Sequence, residues 1–218
     1  PLNAVAVLAR GALQYGDNEA LKQKLLPQIA QGKLIIGLAW QEGMTGLDFR
    51  SVKTSFDKGV LNGSKRFVTP AGGADGYIVS AGNGKAARSS LALYYIPATA
   101  KGVSVDLEKR ADGTFAGRIT MTDAAAEAVV AAGKTASTAL ARALDEATYI
   151  ACAELYGVMS RAMDITLDFL KTRVQFGRAI ATFQALQHRA VDLHMQQALT
   201  LGALDDTLPL FAEGVDSF

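Results

Sequence analysis

Arg173-Val174-Gln175-Phe176-Gly177-Arg178-Ala179-Ile180-Ala181-Thr182-Phe183-Gln184-Ala185-Leu186-Gln187-His188 forms a basic, glycine-broken joint between two helical patterns. Upstream of it, Leu140, Leu144, Ala147, Ala151, Leu155, Met159, Ala162, Ile165 and Phe169 recur three or four residues apart. That spacing predicts an amphipathic helix of about 35 residues, roughly 50 Å at 1.5 Å per residue. Such a helix is longer than one small domain needs, so it is expected to pack against a partner subunit. Gly177 breaks it, and a second helix follows with Phe183, Leu186, Ala190 and Leu193 on one face. After Leu199, the run Gly202-Ala203-Leu204-Asp205-Asp206-Thr207-Leu208-Pro209 is expected to interrupt that second pattern.

Ahead of the long helix the texture is different. From Leu34 to about Val130 the chain shows short apolar runs between turn residues, among them Leu34-Ile35-Ile36-Gly37-Leu38-Ala39-Trp40, Tyr77-Ile78-Val79-Ser80-Ala81 and Leu91-Ala92-Leu93-Tyr94-Tyr95-Ile96. These predict strands, with Lys58 to Lys65 and Arg118 to Thr122 as hairpin arms. The expected result is an antiparallel, barrel-like β domain of roughly a hundred residues. The opening segment, Ala4 to Ala30, reads as two short helices joined at Gly16-Asp17-Asn18, where Asp17 or Asn18 caps the second. Leu21, Leu25, Leu26 and Ile29 keep helical spacing there. The fold class is therefore α+β, a middle β domain over residues 34–133 flanked by helical segments over 1–33 and 134–218. Two helices bury little by themselves and the chain does not begin with Met, so 1–33 is expected to be the end of a helical domain.

Half of the 218 residues are hydrophobic, enough for a substantial core. With 22 basic against 21 acidic side chains no global field draws the chain to nucleic acid or an anionic membrane, and an anionic ligand must be held locally. Cys152 is alone in Ile150-Ala151-Cys152-Ala153, which excludes a disulfide framework and predicts a small core residue. Without a run of about eighteen apolar residues or a signal-like start, a soluble, cytoplasmic protein is expected. His188 and His194 stand six apart, poor spacing for a shared metal ion, so no metal site is expected.

Three places carry candidate chemistry. Arg173 has no carboxylate three or four positions beyond it, and a fixed guanidinium suits a pyrophosphate through two parallel hydrogen bonds. Spacing alone favours the plainer alternative, a solvated arginine complementing a helix end. Gly43-Met44-Thr45-Gly46 lets the backbone approach a ligand closely, although a two-glycine loop is usually only a turn. Phe67 and Thr69 would offer an aromatic face and a hydroxyl on one strand face, or else belong to ordinary core.

Taken in order, Trp40-Gln41-Glu42-Gly43-Met44-Thr45-Gly46-Leu47-Asp48, Leu61-Asn62-Gly63-Ser64-Lys65-Arg66-Phe67-Val68-Thr69 and the Arg173 stretch resemble three motifs of flavin-dependent acyl-CoA dehydrogenases. The first is similar to the family's Thr-Glu-Pro-x-x-Gly-Ser-Asp loop, the second to its Leu-Asn-Gly-x-Lys-x-Trp-Ile-Thr hairpin. The resemblance covers nearly all of residues 15–195 and fades after Leu199. It implies FAD as cofactor, an acyl-CoA substrate, an electron-transfer flavoprotein or similar acceptor, and a homo- or hetero-oligomer, dimer or tetramer. It sets Trp40 and Gln41 against the flavin's pyrimidine side and Gly46 and Leu47 near the pyrophosphate. Phe67 becomes the counterpart of the family's Trp, and Thr69 the partner of flavin N5. Arg173, Gln175 and Phe176, with Gln184 close by, are assigned to the FAD of a neighbouring subunit. Gln41, Gly43 and Leu47 depart from the usual Thr, Pro and Ser, which implies altered flavin contacts.

The reaction implied is α,β-dehydrogenation of an acyl thioester, in which a carboxylate takes the α-proton while the β-hydrogen leaves as hydride. In most members of the family the glutamate lies beyond the point matching Phe218, so this chain is expected to be truncated before it. In others it lies on the long helix, at a position that counts back to Ala147. Asp145 and Glu146 are nearby, but neighbouring helix residues point about 100° apart. Glu146 is thus a weak candidate base, and a solvated or ion-paired face is the better reading. Two functions are carried forward: a working flavoenzyme, which is preferred, and a non-catalytic subunit that supports FAD binding in a paired subunit through Arg173 and Phe176. The acyl chain is not legible, because pocket shape sets it.

Overall fold

Asn18 begins the first well-defined helix for the reason its side chain suggests. Its Oδ1 accepts the Leu21 N–H at 3.0 Å, capping α2 (Glu19–Ala30). A π-helical stretch, Asn3–Ala9, and α1 (Arg10–Gln14) precede it. The computed structural model describes residues 3–44, 48–49, 52–82 and 91–213. It divides into two compact units, residues 1–147 and 148–218.

The first unit is built on one sheet of eight strands: β1 (Ile36–Ala39), β2 (Ser55–Asp57), β3 (Val60–Val68), β4 (Gly76–Gly82), β5 (Leu91–Pro97), β6 (Val103–Lys109), β7 (Phe115–Ala125) and β8 (Ala128–Ala132). They lie in the order β6-β7-β3-β2-β4-β5-β8, with β1 pairing β4 beside that path. Lys58 and Gly59, both at positive φ (48° and 90°), make the two-residue turn between β2 and β3 that a right-twisted hairpin favours. Two expectations are corrected. The sheet ends at β6 and β8 among the described residues and is not a closed barrel. Nor is it purely antiparallel, since β4 runs parallel to both β1 and β2. The chain between Ala39 and Gly76 is long enough to carry that crossover, with the β2–β3 hairpin inside it.

Barrel-like texture has a physical source in β4 and β5, which are buried on both faces and so read as continuous apolar runs. Ile78, Leu91, Leu93 and Tyr95 face one core with Leu13, Leu21, Leu25, Ala136 and Leu140 of the helices. Tyr77, Val79, Ala81, Ala92, Tyr94 and Ile96 face a second core with Leu61, Val68, Ile119 and Met121 of β3 and β7. One sheet thus supplies both walls of the second core without closing.

α3 (Gly133–Thr172) is forty residues long, a little beyond the expected length. Ala136, Ala139, Leu140 and Ala143 are buried in the first unit, and the small Ala143 lets α1 come close: a Cβ on Gly11 would stand 3.2 Å from that of Ala143. Beyond Ala143 no described residue of α3 is buried. Cys152 is exposed, which corrects the core reading. Two helices share only one face, so apolar side chains on their other faces, such as Leu155 and Phe169, stay open to solvent.

In the second unit α4 (Gln184–Glu213) runs unbroken through Gly202 and Pro209, contrary to the expected interruption. Contacts with α3 hold it: Tyr149 donates to the Leu204 carbonyl at 3.3 Å, its ring meets Phe211 at 5.1 Å, and Gln197 donates to Ser160 at 2.8 Å. Tertiary packing here outweighs the helix-breaking tendency of a single Gly and a late Pro.

Candidate functional site

β3 ends in a bulge. Its pairing with β7 passes from Lys65↔Ile119 to Val68↔Gly117, three steps on β3 against two on β7. Phe67 takes the extra step at φ 56° and is 40 % exposed, while Val68 returns to the core. Simple alternation therefore does not connect Phe67 with Thr69, which corrects the one-face reading of that pair; Thr69 is half-buried. The Arg66 guanidinium stands 5.1 Å from the Phe67 ring centre.

Trp40 and Gln41 arrive at the same place because the chain leaving β1 runs on beside β3. The Arg66 N–H donates to the Gln41 carbonyl at 2.8 Å, which puts Gln41 next to the Arg66–Phe67 bulge. Gln41 turns its amide back to the Gly43 carbonyl at 3.2 Å, and Trp40 packs on the first core. Gly46 and Leu47 lie outside the described residues.

Beneath this rim is a group that the sequence reading passed over. Lys65 is fully buried, and its Nζ donates to Glu42 Oε1 at 2.7 Å, Ser80 Oγ at 2.9 Å and the Trp40 carbonyl at 3.3 Å. Glu42 also accepts the Thr54 N–H and hydroxyl on Oε1, at 2.9 and 2.7 Å, and the Lys53 N–H on Oε2 at 2.7 Å. Burial pulls the Lys65 ammonium down to about 8, with the Glu42 charge resisting. Burial pushes the Glu42 carboxyl up, but Lys65 and Thr54 outweigh it and leave it lowered. Gly63 belongs to this arrangement. At φ 149° it passes so close to Thr54 that a Cβ would lie 2.6 Å from Oγ1. One signal could have found Lys65: it shares strand parity with buried Leu61, so it points where an apolar residue is due.

In the second unit the basic joint is a small hairpin rather than a bare helix break. β9 (Val174–Gln175) pairs with β10 (Arg178–Ala179), and Phe176 and Gly177 turn between them at φ 53° and 79°. The Ile180 N–H closes it on the Arg173 carbonyl at 2.9 Å. Phe176 is 92 % exposed, its ring edge-on to Phe183 at 6.1 Å, and Arg178 lies 4.3 Å over Phe183. Arg173 and Gln175 are exposed on this hairpin, and Gln184 opens α4. The hairpin carries Arg173, Gln175 and Phe176, with Gln184 at the start of α4, while in the first unit Gln41 lies beside the Arg66–Phe67 bulge.

Glu146 is held elsewhere. It accepts the Tyr15 hydroxyl and pairs with Arg10 at 3.4 Å and Arg142 at 3.8 Å, and Arg142 stacks on the Tyr15 ring at 4.3 Å. Burial and then the bond to Glu146 push the Tyr15 phenol up. This is the ion-paired face that the sequence reading preferred for Glu146. Burial raises Asp145. Among the described residues no cluster of His, Cys, Asp and Glu could hold a metal ion, and no helix is long and apolar enough to cross a membrane.

Residues 133–204 match the family model described as acyl-CoA dehydrogenase, C-terminal domain. An acyl-CoA dehydrogenase of Bacillus subtilis (strain 168) is 29 % identical over 195 residues, 82 % of this chain and 50 % of the relative. A solved variant of the Tcur3481-Tcur3483 steroid ACAD superposes with a TM-score of 0.81 at 29 % identity, over 99 % of this chain and 57 % of that one. The FAD complex of PigA, 22 % identical, has the same fold with a TM-score of 0.89 over 99 % of this chain and 59 % of its own. The chain spans about half the length of the curated relatives it matches. The matched domain, the relatives and the fold agree with the three motifs: the chain is similar to acyl-CoA dehydrogenases over most of its length, and residues 133–204 match that family's C-terminal domain.

Proposed function

We propose that this chain carries the flavin-holding part of an FAD-dependent enzyme that dehydrogenates acyl-CoA thioesters between the α- and β-carbons. The observation that carries the reading is the Phe67 bulge beside Gln41. An exposed aromatic in the left-handed region is costly for a bulky residue, and such strain persists where the surroundings impose it. Here it frees a ring face and places it next to the Gln41 backbone, a stacking surface with a polar edge that suits an isoalloxazine.

In this reading Trp40, Gln41 and Phe67 hold the ring system and the Thr69 hydroxyl donates toward N5. Arg173, Gln175, Phe176 and Gln184 serve the FAD of a neighbouring subunit, as the exposure of the first three on a pre-shaped hairpin and of Gln184 at the start of α4 suits. When bound, the flavin accepts the β-hydrogen as hydride, and an electron-transfer flavoprotein or similar acceptor reoxidises it. Glu146 is assigned a structural role, because its carboxylate is engaged by a phenol and two guanidinium groups. No described residue is assigned as the base.

An anaerobic visible-absorbance titration of the full-length protein with a panel of acyl-CoA thioesters tests the proposal. Bleaching of an oxidised-flavin spectrum by one of them is the expected result; a protein without flavin, or flavin that no thioester reduces, overturns it.

A further inference from the structure

From the buried Lys65–Glu42 pair and the backbone groups it grips, we infer that these two residues are positioning residues that fix the Trp40–Gln41 backbone against the Phe67 bulge. The functional side of this inference rests on the flavin reading; the positional side does not.

A buried ion pair is weak ground for stability, since well-packed apolar residues in its place are often as good or better. What distinguishes this pair is where its remaining hydrogen bonds go. Lys65 takes the Trp40 carbonyl, and Glu42 takes the N–H groups of Lys53 and Thr54, so the pair ties the end of the β1 segment to the chain entering β2. Ser80 of β4 completes the Lys65 shell and anchors it to the buried centre of the sheet. Directly above, Gln41 is joined to Arg66 at 2.8 Å. Displacing the ammonium by even an ångström therefore moves the Trp40 carbonyl and, through Gln41, the register of the rim with Phe67. An apolar pair of the same volume would fill the space but hold none of these backbone groups.

Trp40 is the single tryptophan of the 218-residue chain, so its fluorescence reports on this segment alone. The test is the double variant E42Q/K65M, which removes both charges and leaves neither partner buried alone. Thermal unfolding, acrylamide quenching of Trp40 and FAD affinity by titration are measured together. The expected result is a folded protein whose Trp40 quenching constant rises at least about twofold and whose FAD dissociation constant rises about tenfold or more. Ile96→Ala, a core change on β5 outside the Lys65–Glu42 hydrogen bonds, should lower stability without moving either reading. If the double variant does not fold, Thr54→Val, which removes one hydroxyl bond to Glu42, should move both in the same direction by a smaller factor. Unchanged Trp40 quenching in a folded variant overturns the inference. So does altered quenching with FAD affinity equal to that of the parent. A parent that binds no FAD defeats the flavin reading instead, and the quenching comparison still decides the position.

Discussion

Lys65 Nζ and Glu42 Oε1 meet at 2.7 Å, joining two segments that are distant in sequence through a fully buried ammonium and a partly buried carboxylate. Removing one partner alone strands the other. Lys65→Met is expected to cost about 3–5 kcal/mol, and E42Q/K65M distinctly less than the sum of its single changes. Urea unfolding of the two single variants and the double variant checks this. Additive costs would mean that the pair does not act as a unit.

The same pair sets a pH dependence of defined sign. Lys65 falls to about 8 in the folded chain against 10.5 when unfolded, so between those values the folded state binds fewer protons and stability rises with pH. Glu42 is lowered in the folded state, so its contribution is present above 4.5 and is lost as pH falls through its folded value. Compared with E42Q/K65M, the parent should gain stability on going from about pH 8 to pH 10 and lose it below pH 4.5. Parallel pH profiles for the two proteins would contradict both assignments.

Glu146 separates a structural from a catalytic carboxylate. Replacing it by Gln weakens two ion pairs with half-open arginines and one hydrogen bond from Tyr15, for an expected loss of about 1–2 kcal/mol. Flavin reduction by an acyl thioester should continue at the parental rate in stopped-flow traces. A folded Glu146→Gln protein with reduction slowed by a thousandfold would make Glu146 the base after all.

Gly63 is fixed by both conformation and space. An alanine there would set its Cβ 2.6 Å from Thr54 Oγ1 and 2.8 Å from its Cα, at a φ of 149° that side chains rarely adopt. Gly63→Ala is expected to destabilise by about 2–3 kcal/mol and to raise Trp40 quenching, because Thr54 is one of the groups Glu42 holds. A thermal shift together with fluorescence suffices to check it.

Much of this was legible in the sequence where one local rule acted alone. Asn18 caps α2 as its position suggested, and the spacing from Leu140 to Phe169 marked α3. The motifs carried the candidate residues, of which Gln41 and Phe67 meet at the β3 bulge and Gln175 and Phe176 share the hairpin. What was not legible depended on partners far along the chain. Parallel pairing of β4 with β1 cannot be read from strands that are merely apolar, and an open sheet whose two lobes share a core looks like a barrel in pattern. The Phe67 bulge is set by register against β7, and Cys152 lies on the part of α3 after Ala143, where no described residue is buried. Lys65 was overlooked because a lysine is ordinarily a surface residue; only its strand parity pointed inward.

Phe176 offers the sharpest separation of stability from binding. At 92 % exposure its ring contributes little to packing beyond an edge contact with Phe183, and the turn needs a positive φ that Phe176 supplies at 53°. Phe176→Asn keeps a residue tolerant of that conformation while removing the ring, so unfolding should change by no more than about 0.5 kcal/mol. If the ring lies on flavin, FAD affinity should fall about tenfold, a loss of roughly 1.4 kcal/mol. Arg173→Lys should also weaken FAD binding, since an ammonium cannot supply the planar two-point contact a pyrophosphate takes from a guanidinium. Equal FAD affinity in parent, Phe176→Asn and Arg173→Lys would remove the hairpin from the flavin site and leave its exposed ring without a ligand.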